Sequence, residues 1–121
     1  MSEKTQEGLD NLIIEGLNAE KGELDLRERE LDDDDIKLIV NSDKIKGVTA
    51  LFLEYNEIGD EGLQAILGSE KFKHLTALNM FKNQVSDDGV KEMAKSKTLL
   101  NLSELVMSDN KIGVEGARAL S

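Results

Sequence analysis

Carboxylates carry most of the chemical potential of this chain. There are 25 Asp and Glu among 121 residues, with four in succession at 32–35 in the stretch "LDDDDIK". Such a run can hold a divalent cation, attract a basic partner or start a helix. A calcium loop alternates its ligands and places Gly at its sixth position. Counted from Asp32, positions five and six are Ile36 and Lys37, so no metal site is expected. Acid–base catalysis needs titratable groups whose pKa values a shared cleft drives apart, and nothing in the sequence buries one of these carboxylates beside another. Nucleophilic catalysis fares no better. There is no Cys, His74 is the single histidine and reads as a loop residue, and the serines lack a Gly-flanked elbow. Neither an enzyme nor a cofactor is expected.

Charge narrows the partners. Residues 1–35 hold 13 acidic and 4 basic side chains, whereas residues 36–121 hold 12 and 11. Phosphate contacts require clustered Lys and Arg, so nucleic acid is not an expected partner. The acidic first third suits either a solvated surface or attraction to a basic protein. No apolar run reaches the length of a membrane span and the N-terminus has no basic-then-apolar leader, so no membrane contact and a cytoplasmic setting are expected.

The elements that would position any site emerge from internal repetition. "VTALFLEYNEIGDEGLQAIL" from Val48, "LTALNMFKNQVSDDGVKEMA" from Leu75 and "LSELVMSDNKIGVEGARALS" from Leu102 align at a step of 27 residues. Leu51, Leu78 and Leu105 share one column, followed by Leu53, Met80 and Met107. Asn56, Asn83 and Asn110 come next, then Ile58, Val85 and Ile112, and finally Gly62, Gly89 and Gly116. One step earlier, "LDLRERELDDDDIKLIV" is a degenerate copy in which Arg29 replaces the Asn and Asp35 the Gly. Another step back leaves half a repeat from Gly8. Within each unit, L-x-L alternates as a half-buried strand does. Leu63, Ile66, Leu67 and then Val90, Met93, Ala94 recur at the spacing of one helix face. Neither apolar face can be buried inside a single unit, so units must stack.

This pattern resembles the leucine-rich repeat, L-x-x-L-x-L-x-x-N-x-L, of the ribonuclease-inhibitor type, over roughly residues 8–121. The uniform period and the absence of Cys depart from that subtype. The resemblance implies an α/β fold: a curved solenoid with a parallel sheet on its concave side and helices on its convex side. The organisation expected is an N-terminal half-repeat or helical cap at 1–20, followed by four 27-residue repeats at 21–121, the last of them truncated or frayed. It also implies that Asn56, Asn83 and Asn110 form a structural ladder, because an amide both donates and accepts and can satisfy a turn's backbone. Arg29 cannot accept, so the first turn must be built differently. Gly inside a helix costs about 1 kcal/mol against Ala, and its recurrence points to a close approach of backbones. The acid run aligns with "GDE" at 59–61, "SDD" at 86–88 and "GVE" at 113–115, and so reads as a helix start.

Strand positions facing away from the core supply the candidate binding surface. The chain has four aromatic residues, and three of them, Phe52, Tyr55 and Phe81, fall on this face. Phe72 aligns with Ile45 and Leu99 and reads as core. Strands about 4.8 Å apart would bring the three rings into one patch, with Asn79, Lys82, Val106 and Glu54 around it. Aromatic anchors of this kind dominate interfaces, although aromatics also favour strands for packing alone. The concave face measures near 400 Å², about half of what one partner buries in a standard interface. Edge loops would therefore contribute.

The expected function is a protein–protein interaction module that presents this surface to a protein or peptide, a basic one among the candidates. The alternative is a structural or regulatory segment of a larger repeat protein, similar to the repeat domains of GTPase activators or bacterial effectors. The last helix ends at "GARALS" without a polar cap, leaving three options: continuation of the array, self-association through an open C-terminal repeat, or fraying. Ile14 and Leu17 add apolar surface at the other end, as an N-terminal lid would.

Overall fold

Each 27-residue unit runs as a short strand, a turn, and a helix packed behind it. The computed structural model describes residues 4–120; the first three residues of the expected cap and Ser121 of the expected fourth repeat lie outside the described residues. Helices α1 (Gln6–Gly16), α2 (Asp33–Ile39), α3 (Asp60–Leu67), α4 (Asp87–Met93) and α5 (Val114–Ala119) alternate with strands. The strands are β1 (Leu17–Asn18), β2 (Glu23–Asp25), β3 (Ala50–Phe52), β4 (Ala77–Asn79) and β5 (Glu104–Val106). They form one sheet in sequence order, parallel from β2 to β5.

Register follows the leucine column. Leu24 pairs with Leu51, Leu51 with Leu78, and Leu78 with Leu105. Leu24, Leu51 and Leu78 are buried, as are Leu26, Leu53 and Met80 on the same inward side. Full burial of such side chains contributes about 1.5–3 kcal/mol each. Behind them lie Leu63, Ile66, Val90 and Met93 from the helix faces, with Phe72 sealed between repeats. Helices pack about 8–10 Å apart and strands about 4.8 Å, so stacking such units bends the array with the sheet inside. The fold is a leucine-rich-repeat solenoid of α/β class.

Three features depart from the sequence-based expectations. The sheet is not wholly parallel: β1 pairs antiparallel with β2, so that a two-residue hairpin arm covers the N-terminal edge. Ile14 does not build a lid. It is exposed, while Leu9 and Ile13 on the opposite side of α1 are buried. Finally, the column Glu28, Tyr55, Lys82, Asp109 is not regular strand. All four residues adopt left-handed backbone conformations, with φ between 54° and 60°. The interstrand ladder still reaches them, because Tyr55 N–H donates to the Phe81 carbonyl and Lys82 N–H to that of Ser108.

The first turn is built differently from the rest. Both Glu28 and Glu30 are left-handed there, whereas later turns have one such residue. Arg29 and Leu31 donate their backbone N–H groups to Asn56 Oδ1 of the following repeat. Asp35, in the Gly column, closes a reciprocal capping box with Asp32 and pairs with Lys4 at 2.9 Å.

Candidate functional site

Two rows of hydrogen bonds hold the repeats in register, one at the turn after each strand and one at the start of the helix that follows. On the turn side, the Asn83 amide donates to the carbonyls of Leu53 (2.9 Å) and Met80 (3.1 Å) and accepts from Ile58 N–H (3.0 Å). Asn56 does the same between Leu26, Leu53 and Leu31. Asn110 repeats it between Met80, Met107 and Val85, in a half-buried setting. Each amide thus bridges its own repeat and the one before.

On the helix side is a row that sequence reasoning did not find. Asp33 accepts from the backbone N–H groups of Gly59 and Gly62, and Asp87 from those of Gly113 and Gly116. Asp60 takes both the N–H and the hydroxyl of Ser86. Asp33 and Asp87 cap the helix of the next repeat, and Asp60 holds Ser86, the residue that opens it. This row also accounts for the glycine column in a way not anticipated. A Cβ at Gly62, Gly89 or Gly116 would meet Oδ1 of Asp33, Asp60 or Asp87 at 2.6, 2.2 and 2.4 Å, so the close approach involves a carboxylate more than a backbone. The period-27 column Asp33, Asp60, Asp87 was the available signal.

On the concave side, Tyr55 and Phe81 meet edge to face, with ring centroids 5.4 Å apart at 84°. Lys82 Nζ lies 6.0 Å from the centre of the Tyr55 ring. Tyr55 is 51% exposed and Phe81 half-buried. Val106 is also solvent-exposed, in register with Asn79 and one strand beyond it. Asn79 turns its Oδ1 to the Phe81 N–H at 3.0 Å, fixing the backbone from which that ring projects.

Phe52 does not join this cluster. It makes no ring contact among the described residues and instead lines a separate hollow of about 430 Å³, together with Asp25, Arg27, Glu54 and Asn79. There, Arg27 grips Asp25 through two nitrogens, at 3.0 and 2.9 Å. That contact holds the Asp25 carboxyl below its ordinary range. Glu54 Oε1 is buried without a hydrogen-bond partner. The rings expected to form one patch thus divide into a Tyr55–Phe81 pair and an isolated Phe52.

Among the described residues no group of three or more His, Cys, Asp or Glu side chains is placed to hold a metal ion. No helix among them is long and apolar enough to cross a membrane.

The leucine-rich repeat model matches residues 48–67, 73–94 and 98–121. Among solved structures, a chain of the Chaetomium Mex67:Mtr2 subunits superposes with a TM-score of 0.70 at 18% identity, covering 94% of this chain and 82% of that one. At that identity the likeness speaks for the fold alone. Among curated proteins, none matches.

Proposed function

The chain belongs to the leucine-rich repeat family, and from that premise we propose that it is a protein–protein interaction module whose docking surface centres on Tyr55 and Phe81. Repeats of this family commonly serve protein binding. One observation carries the choice of site: Tyr55 holds a left-handed backbone at φ 60° while half its surface stays in water. That conformation costs an ordinary side chain about 1–2 kcal/mol, and the exposed ring recovers little of it by burial. At the same turn position the other repeats carry Glu28, Lys82 and Asp109. An aromatic residue in a strained, half-wet position, with an edge contact to Phe81 as its main structural return, breaks a local rule in the way binding residues do.

Lys82 and Val106 extend the surface along the sheet, and the loops after β3 and β4 flank it. The arrangement supports a ribonuclease-inhibitor-like organisation, with residues 1–20 as a cap and 21–121 as four repeats. The second reading, a segment of a larger repeat protein, draws on the last repeat. There Leu100 and Val114 are exposed and Leu105, Met107 and Ile112 are only half-buried.

Affinity capture with wild-type protein and with the Tyr55→Asn and Phe81→Ala variants tests the site. Partner recovery should fall at least about tenfold in each, as it does when an aromatic anchor is removed, with the folded spectrum kept. Equal recovery would remove the assignment.

A further inference from the structure

The hollow beside Phe52 has a composition of its own. It lies on the N-terminal half of the concave face, walled by Gly16 and Asn18 at the β1 arm, with Phe52 among its lining residues. Its volume of about 430 Å³ falls within the range of small ligand sites. Three carboxylates line it, Glu23, Asp25 and Glu54, against one cation, Arg27. That cation is already committed to Asp25 through Nε and Nη2. Glu23 and Glu54 have no ion-pair partner among the described residues, and Glu54 Oε1 is out of water with nothing donating to it. A buried carboxylate oxygen without a donor is costly, so a donor brought by another molecule gains more here than at an open surface. Two amides, Asn18 and Asn79, also line it. Asn79 Oδ1 is occupied by Phe81 N–H and Asn18 Oδ1 by Lys21 N–H, and neither Nδ2 group has an acceptor among the described residues.

We propose that this hollow receives an arginine side chain from the docked protein, its guanidinium lying against the Phe52 ring and pairing with the Glu54 carboxylate, which turns its unsatisfied Oε1 toward the newcomer. The assignment rests on the concave face being the docking surface and specifies the residue it selects. A guanidinium satisfies both groups at once, because it is planar, offers several donors in one plane and stacks on aromatic faces. A lysine ammonium can meet the carboxylate or the ring but has no plane to share between them. Free Nδ2 groups of Asn18 and Asn79 suit the backbone carbonyls of an extended segment on either side of that arginine. An acidic ligand is repelled by Glu23 and Glu54.

The test is a titration of isotope-labelled protein with the capped tripeptide Gly-Arg-Gly, followed by amide chemical shifts, with the citrulline and lysine counterparts as controls. Citrulline keeps the shape and removes the charge. Expected shifts cluster on Glu23, Asp25, Phe52, Glu54 and Asn79, with affinity in the order arginine, lysine, citrulline. Citrulline and the Glu54→Gln variant should each lose about tenfold, the scale of a charge pair broken on one side. Glu54→Gln should unfold at the same or a higher temperature, since it removes the charge from a half-buried carboxylate with one oxygen lacking a donor; a merely structural Glu54 would lower it. Phe52→Leu keeps the apolar wall and should weaken arginine more than lysine. Shifts confined to the acidic stretch at 32–35, equal binding of citrulline, or undiminished binding by Glu54→Gln would each overturn the assignment. If partner capture depends on Tyr55 and Phe81 but not on Glu54, the arginine falls and the docking face stands.

Discussion

The carboxylate of Asp60 decides whether Gly89 can be anything else, and the two residues can be tested as a pair. Replacing Gly by Ala inside a helix ordinarily gains about 1 kcal/mol. At Gly89 the new Cβ would sit 2.2 Å from Asp60 Oδ1 and 2.7 Å from its Cγ, a collision relieved only by moving the carboxylate off Ser86. That carboxylate accepts from Ser86 N–H at 2.8 Å and from the Ser86 hydroxyl. Bonds to a charged group contribute about 1.5–3 kcal/mol, and partial exposure reduces the pair to about 2. Asp60→Ala should therefore cost about 2 kcal/mol, and Gly89→Ala a similar amount once strain and the propensity gain are set against each other. In the double variant the nearest Asp60 atom remaining is Cβ, at 3.1 Å, and the alanine should then be neutral or stabilise by up to about 1 kcal/mol. Urea unfolding followed by circular dichroism gives the cycle, with a coupling of about 2 kcal/mol and unchanged m-values. In heat the single variants should each melt about 8 °C below wild type. A Gly89→Ala variant as stable as wild type, or equally damaging in both backgrounds, would refute the reasoning.

Other consequences are more direct. Asn83→Ala strands Ile58 N–H in the interior, while the Leu53 and Met80 carbonyls keep the Asn56 and Asn110 amides, so it should cost about 2 kcal/mol in urea unfolding. Asn110→Ala, at a half-buried position, should cost about 1, and equal losses would contradict the burial gradient. Tyr55→Asn relaxes a left-handed backbone that Asn tolerates and should raise the melting temperature while partner recovery falls; a variant both less stable and still competent would place the ring in the core instead. Asp10, Asp25, Asp32 and Glu61 are each held below their ordinary range, chiefly by Ser42, Arg27, the Asp35 backbone N–H and Lys37 respectively. A lowered folded-state pKa stabilises above the unfolded value near 4 and is lost beneath it. Urea midpoints should thus hold level above about pH 5 and drop from about pH 4 towards 2. A midpoint unchanged down to pH 3 would contradict these pairings.

The repeat made the strand register legible, because a fixed 27-residue step leaves one way to stack Leu24, Leu51, Leu78 and Leu105. Burial of Phe72 followed from its alignment with Ile45 and Leu99. What escaped were features in which two repeats cooperate. Asp33, Asp60 and Asp87 read as ordinary first-turn acids, since a cap is normally sought within its own helix; here the acceptor serves the following repeat 26 to 29 residues on. The β1 arm escaped because two residues carry no periodicity. Phe52 was grouped with Tyr55 and Phe81 from strand spacing alone. Spacing places a ring on a face but not its direction, and the left-handed turn at Tyr55 aims that ring toward Phe81.

The two hydrogen-bonded rows bear on where a binding surface belongs in this array. In a solenoid each repeat is stabilised only by its neighbours. The β3 and β4 repeats are the ones with an Asn bridge and an Asp contact on both sides. Asp33 and Asp60 join them to their N-terminal neighbours, and Asp60 and Asp87 to their C-terminal ones. The last repeat has such support from one side only, and Val114 stands where the earlier repeats carry Asp. Its Leu105 and Met107 are half-buried, whereas Leu51, Leu53, Leu78 and Met80 are closed off. Residues that must meet a partner with little loss of freedom gain from a fixed backbone. Tyr55 and Phe81 project from those two doubly supported repeats, so the docking surface we propose there would be set before any partner arrived. Weakening the row at Asp60 should therefore loosen the ring pair as well as the fold, and partner recovery by Asp60→Ala should fall even at temperatures where the protein remains folded.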